Sequence, residues 1–239
     1  MRPDNLPPQT VSRSSATTFD AGLRLHFQRV YNTMAIGLGV TGLVAFFIAN
    51  SPMMTQLLFG TPLKWVMVFA PLAFIMFGFN HRTIATKSAS WLAGMFYLFS
   101  AVFGMSLATI FLVYSNESIA RVFFITAGMF ALTSIFAYTT KRDLSKLGSL
   151  MIMGAIGLLL AMVVNLFMQS SMLQFVISGV GVLVYTGLVA WDTQNIKETY
   201  SGSAAGDANH KMAIMGALSL YINFIMLFQF MMQFMGHRE

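Results

Sequence analysis

"QFVISGVGVLVYTGLVAWDTQNIK", residues 174–197, decides the fold class. Its first eighteen residues, Gln174 to Trp191, are uncharged and mostly apolar. A helix needs roughly 20 apolar residues to cross a bilayer, and tryptophan favours the membrane–water boundary. The run therefore reads as a membrane span that meets water at Trp191. Asp192 follows at once, and the first lysine, Lys197, comes five residues later. The other seven of the eight acidic residues lie in segments that read as aqueous. An ionisable group at the edge of hydrocarbon is costly to keep and marks a functional candidate. The plainer reading is an interfacial carboxylate that caps a helix end or accepts a hydrogen bond from Thr193.

Composition extends the same reading to the whole chain. Of the 239 residues, 56% are hydrophobic and 9% charged, where a soluble domain carries about 25% charged. The mean hydropathy is +0.70, with 23 Phe and 20 Met. Seven segments are apolar enough for spans: 33–50, 63–79, 91–113, 121–139, 147–168, 174–191 and 212–235. The second is short and carries Pro71. The connections are short, so the expected fold is an all-α integral membrane protein with seven transmembrane helices. It divides into a polar cytoplasmic tail, 1–32, and one transmembrane domain, 33–239. No cleavable signal peptide is expected, because the first thirty residues lack an apolar core. Within the tail, Leu23, Phe27, Val30 and Tyr31 recur at helical spacing, with Asp20 ahead of them as a cap. That stretch is either a short amphipathic helix at the membrane surface or the polar start of the first span.

Orientation follows from lysine and arginine. Eleven of them (Arg2, Arg13, Arg24, Arg29, Arg82, Lys87, Lys141, Arg142, Lys146, Lys197 and Lys211) fall on one side of the seven spans. Three, Lys64, Arg121 and Arg238, fall on the other. Cytoplasmic loops carry the excess of positive charge, so the N-terminus is expected in the cytoplasm and the C-terminus outside. The net charge of +6 is spread over alternate loops rather than gathered in a patch, and a nucleic-acid partner is not expected.

Catalytic patterns are missing. The chain has no HExxH, no GxSxG, no glycine-rich phosphate loop and no cysteine. An intramembrane aspartyl protease needs two membrane carboxylates where only Asp192 is available. A retinal protein needs a lysine in the last span, and 212–235 has none. No enzyme activity and no cofactor are expected, and no metal ligands can be assigned. The polar residues inside spans are the remaining signal. Tyr185 stands seven residues before Asp192, on the same helical face. Gly216, Ser219 and Asn223 form a stripe at i, i+3, i+7. Small and hydrogen-bonding residues commonly serve helix packing, which accounts for the first two. Asn223 lies 11 residues past Met212, or about 16 Å along a helix, where an amide needs partners. Asp192 is shallow by comparison, so the two meet only if the sixth helix continues through "TQNIK".

The chain resembles the Bax inhibitor-1 (transmembrane Bax inhibitor motif) family, in its bacterial branch. The resemblance runs almost end to end. Its marks are "FDAGLRLHFQRVYNTMAIGLGVTGLVAF" (19–46), the stretch 106–158, "GLVAWDTQNIKETY" (187–200) and "MGALSLYINFIMLF" (215–228). The resemblance implies seven helices with the last running through the centre of the bundle. It also implies a pH-sensitive calcium leak across the bacterial inner membrane. In the family two aspartates on the sixth and seventh helices share a proton, and an arginine near the second helix latches onto them. Asp192 matches the first aspartate. Asn223 stands where the second is found, which implies weakened pH sensing. Arg82 matches the arginine by position. Tyr185, Gly216 and Ser219 are the pore-lining candidates. The expected partners are the lipid bilayer and a permeant calcium ion. A second implication is association with a membrane-anchored AAA protease, for which residues 1–18 would be the handle.

Overall fold

The computed structural model describes residues 11–200 and 206–237, apart from the side chains of 11–20 and of Val68. Among the described residues every regular element is an α-helix. In order they are α1 (Val11–Ala49), α2 (Pro52–Phe59), α3 (Leu63–Gly78), α4 (His81–Thr86), α5 (Ala89–Val113), α6 (Asn116–Thr139), α7 (Ser145–Met168), α8 (Ser171–Thr199) and α9 (Gly206–Met235). Helix starts follow the polar punctuation between apolar runs. Ser88, Ser115 and Ser170 each accept a hydrogen bond from a backbone N–H of the first turn, of Trp91, Ser118 and Leu173. These caps satisfy donors that a helix start otherwise leaves without partners.

Among the described residues six helices are long and apolar enough to cross a membrane: α1 from Ala21, α5, α6, α7, α8 and α9. α3 coincides with the second expected span, but its 16 residues rise only about 24 Å, short of a hydrocarbon core of about 30 Å. Pro71 lies inside it. The tail and first span differ from expectation. α1 runs from Val11 to Ala49 without a break at residue 32, and Asp20 lies within it rather than at its start. Leu23, Phe27 and Val30 are buried while Arg24, Gln28 and Arg29 are exposed. The apolar face of that stretch packs into the protein core. Residues 1–10 of the polar tail lie outside the described residues.

Burial is uneven. In α9, 72% of the most apolar eighteen residues are buried, against 6% in α7 and no more than 39% in any other span. α9 packs against α1, α5, α6 and α8, and Leu220, Tyr221 and Leu227 are fully enclosed. A helix apolar all round belongs inside a bundle. α7 packs on α8 and turns Leu150, Met153, Leu160 and Phe167 outward, as a lipid-facing surface does.

One polar tie holds α9 against α1 and α5. Thr41 Oγ1 lies 2.6 Å from the Tyr221 hydroxyl and donates to the Ser100 carbonyl at 2.9 Å. The two helices meet closely beside it: a Cβ on Gly104 would sit 2.6 Å from the Thr41 carbonyl oxygen.

The two ends of the bundle have different chemistry. At one end α8 clasps the α6–α7 connection: Gln194 accepts from Leu144 N–H at 2.7 Å and donates to the Arg142 carbonyl at 2.9 Å. Lys197 donates to the Tyr138 carbonyl at 2.8 Å. The starts of α5 and α9 join there too, where Ala89 N–H donates to Asp207. At the other end an amide chain links three helices, Asn165 donating to Gln174 at 2.9 Å and Gln174 to Gln233.

Candidate functional site

Asp192 sits within a continuous helix, two turns before its end. α8 does not stop at Trp191 but runs on to Thr199. The reason is tertiary. Past the apolar run, Thr193 reaches Ser134 of α6 at 3.4 Å, Gln194 holds the α6–α7 connection, and Lys197 holds the last turn of α6. Those bonds keep a polar segment helical and carry Asp192 inward to the level of the α9 stripe. Asp192 is buried, with 6% of its surface exposed.

There it meets two residues of α9. Asn223 Nδ2 donates to Asp192 Oδ2 at 2.6 Å, and Ser219 Oγ donates to the same oxygen. Ser219 and Asn223 are one turn apart, so a single carboxylate oxygen bridges both. Asn223 is itself 6% exposed. The capping alternative for Asp192 does not hold, since the residue lies seven positions before the helix end. With both donors on Oδ2, Oδ1 has no protein donor among the described residues, and it is not among the sealed, unpartnered atoms of the interior.

Asp192 lines a cavity of about 220 Å³ at the basic end of the bundle. Ser219 and Gly216 line it from α9, Asn195 and Thr199 from α8, Ile84 from α4 and His26 from α1. Gly216 keeps the passage between α8 and α9 narrow: a Cβ there would lie 3.0 Å from Ile196 Cγ1. Lys211 also lines the cavity, and its ammonium pairs with Asp207 at 3.2 Å.

The other expected site residues stand apart from this group. Tyr185 is half-buried, stacks on Phe230 with ring centroids 5.6 Å apart, and lines a separate cleft of about 780 Å³. That cleft opens between α3, α5, α7, α8 and α9, and Gln229 and Gln233 line it as well. Arg82 is exposed on α4, and the structure gives its side chain no ion pair or hydrogen bond to Asp192. Its neighbour Ile84 reaches the cavity. Among the described residues no three His, Cys, Asp or Glu side chains gather to hold a metal ion.

Three participants went unassigned in the sequence. His26 is 3% exposed, rests against Tyr200 with ring centroids 5.2 Å apart, and has an Nδ1 without a hydrogen-bond partner. Its signal was present: it lies next to Phe27, one turn from Val30, on the buried face of α1. Lys211 read only as a loop charge. Gln194 belongs to the stretch 187–200 that carries the family resemblance, but nothing in one sequence says that it grips residues 142–144.

Comparison with known proteins bears on the whole of this arrangement. The family model described as inhibitor of apoptosis-promoting Bax1 matches residues 23–239. An uncharacterised protein of Rickettsia prowazekii is 40% identical over 232 residues, 96% of both chains. An uncharacterised protein of Caulobacter vibrioides is 42% identical over 228 residues, 91% of this chain and 90% of that one. The inner membrane protein YbhL of Escherichia coli K12 is 38% identical over 222 residues, 92% of this chain and 94% of that one.

Proposed function

The chain belongs to the inhibitor of apoptosis-promoting Bax1 family, and from that premise we propose that it is a calcium leak of the bacterial inner membrane, with pH sensing weakened by Asn223. The observation that carries this reading is the state of Asp192. It is buried inside a membrane bundle, fixed through one oxygen by Ser219 and Asn223, and open through the other to a cavity at the basic end. A hard divalent cation takes oxygen ligands, and a carboxylate at a constriction favours its entry. The cleft beside Tyr185, Gln229 and Gln233 is the matching aqueous approach from the opposite side. Tyr185 and Phe230 form part of the closed partition between them. The protein performs no chemical step of its own in this reading.

The membrane arrangement is seven crossings with α9 at the centre. α3 is the seventh crossing despite its length. Ser106 Oγ donates to the Met67 carbonyl at 2.5 Å, and a Cβ on Gly78 would lie 3.0 Å from Met95. α3 thus runs antiparallel to α5, and it returns the chain from the end of α1 to the basic end. The burial of α9 on four neighbours supports its central position. The excess of lysine and arginine at one end sets that end in the cytoplasm. The inner membrane as location follows the name of the E. coli relative.

Calcium entry into liposomes holding the purified protein tests the proposal. A leak that Asp192→Asn changes, in protein that still folds and inserts, is the expected result. A tight bilayer overturns it, and a membrane AAA protease co-purifying with the chain would then favour the interaction role.

A further inference from the structure

The cavity above Asp192 contains a charge that works against a cation reaching it. Lys211 lines that cavity with only 19% of its side chain exposed. It lies on α9 eight residues before Ser219, about 12 Å along the helix. Among the described residues it is, apart from Asp192, the one formally charged side chain lining the cavity; His26 is the other titratable one. Arg82 is exposed on α4, and Arg29 lines a different, shallow depression beside His210.

Lys211 is held by Asp207, one turn earlier on α9, through Oδ2 at 3.2 Å. Asp207 is in turn fixed to another helix, since its Oδ1 accepts from the Ala89 N–H of α5 at 3.2 Å. Asp207 is more than half exposed, so water screens its side of the pair while Lys211 remains in the enclosed part. The local charge that a cation meets on its way to Asp192 Oδ1 is therefore that of Lys211, partly offset by Asp207.

We propose that Lys211 is the residue that sets divalent-cation access to Asp192 from the basic end, and that Asp207 tunes it by holding its ammonium away from the free carboxylate oxygen. The proposal rests on the cation-leak reading for its physiological meaning, but its physical content is a binding effect. A positive charge on the wall of a narrow, partly desolvated entrance raises the energy of a divalent ion at the floor. Removing it lowers that energy, and removing its counter-charge raises it.

The test is Mn²⁺ binding to the purified full-length protein in detergent, followed by electron paramagnetic resonance, with calcium flux in liposomes measured in parallel. Lys211→Met is expected to tighten Mn²⁺ binding on the order of tenfold for a charge removed at this range, and to raise the leak. Asp207→Asn keeps an acceptor for Ala89 N–H but removes the counter-charge, and is expected to weaken binding by about threefold and reduce the leak. Opposite shifts from the two halves of one ion pair cannot arise from a shared loss of fold. Asp192→Asn should abolish the Mn²⁺ signal. Affinity that neither variant moves, shifts of the same sign, or Mn²⁺ that binds to no form overturns the proposal. Opposite affinity shifts without flux in any form leave the proposal standing and remove the leak reading. Flux that Asp192→Asn alters but Lys211→Met and Asp207→Asn do not has the reverse meaning.

Discussion

Asn223 on α9 donates to the carboxylate of Asp192 on α8 at 2.6 Å, with both side chains buried. An amide can donate to a carboxylate as a protonated carboxyl group can, but it never loses the proton. The Asn223 side of the contact therefore does not titrate. Ser219 reinforces it from one turn away on the same oxygen. α8 and α9 are locked together at this level by a charge-assisted pair, and such bonds are the stronger kind.

Two substitutions at Asp192 separate its roles. Asp192→Asn keeps an oxygen for the two α9 donors and removes the charge. It should leave the protein folded and inserted while changing calcium flux. Asp192→Ala leaves the Ser219 and Asn223 donors without a partner, and an unsatisfied buried group costs about 1–3 kcal/mol. It should also lower the thermal midpoint in detergent. Flux and stability both unchanged in Asp192→Asn would make the carboxylate a bystander.

The α1–α5 crossing gives a prediction about stability alone. A methyl group on Gly104 would press on the Thr41 carbonyl, which is backbone in the middle of α1 and cannot turn aside. Gly104→Ala should cost about 1–3 kcal/mol, the usual range for overpacking. Gly157 on α7 has open space around its Cβ position, so Gly157→Ala should be close to neutral. Tyr221→Phe removes the hydroxyl paired with Thr41 and should cost about 1 kcal/mol. Denaturation of the three variants side by side checks the order.

Much of this architecture is written in hydropathy. The six long spans are legible because lipid demands long uncharged runs. The same rule misreads the two places where protein replaces lipid or water as the surroundings. α8 passes Trp191 and stays helical because Gln194 bonds to the α6–α7 connection and Lys197 to the last turn of α6, a tertiary event with no local signature. The stretch 23–30 has the pattern of a surface helix, yet Leu23, Phe27 and Val30 are buried in the main core cluster, Phe27 against Tyr138 of α6 and Val30 beside Gly216 of α9. Within the site, Asp192 and Asn223 stood out because each is expensive in an apolar setting. Ser219 and Gly216 could be read as packing, and Lys211 as a loop charge. Their meeting in one cavity depends on how two helices are set against each other, which one sequence does not encode by spacing.

Topology has a direct check. With α3 as a crossing, the start of α1 and the end of α9 are expected on opposite sides of the membrane. In the proposed arrangement the excess of lysine and arginine sets the N-terminal end inside. A reporter active only outside the cytoplasm should therefore work when fused after Glu239. A reporter active only in the cytoplasm that works at that position would mean α3 does not cross.

Restoring a second carboxylate tests what Asn223 does. Two carboxylates in contact cannot both ionise freely, so they share protons and titrate as a coupled pair. Asp192 facing an amide at 2.6 Å has no such partner, because the amide does not titrate. Calcium flux through the wild-type protein should therefore vary little between about pH 6 and 8, because the coupled step is missing. Asn223→Asp puts a titrating group at hydrogen-bond distance from Asp192. Deprotonation of the pair then replaces an attractive contact between α8 and α9 with repulsion between like charges. The helices should part as pH rises, and flux should change steeply with pH in the mutant. A population shift from mostly closed to mostly open needs about 3–5 kcal/mol of differential stabilisation, within reach of two buried like charges in contact. Flux in liposomes from pH 5 to 8, wild type against Asn223→Asp, decides it. A wild-type protein that already titrates steeply would assign the sensor to another group, and the buried His26 beside the cavity is the first to replace.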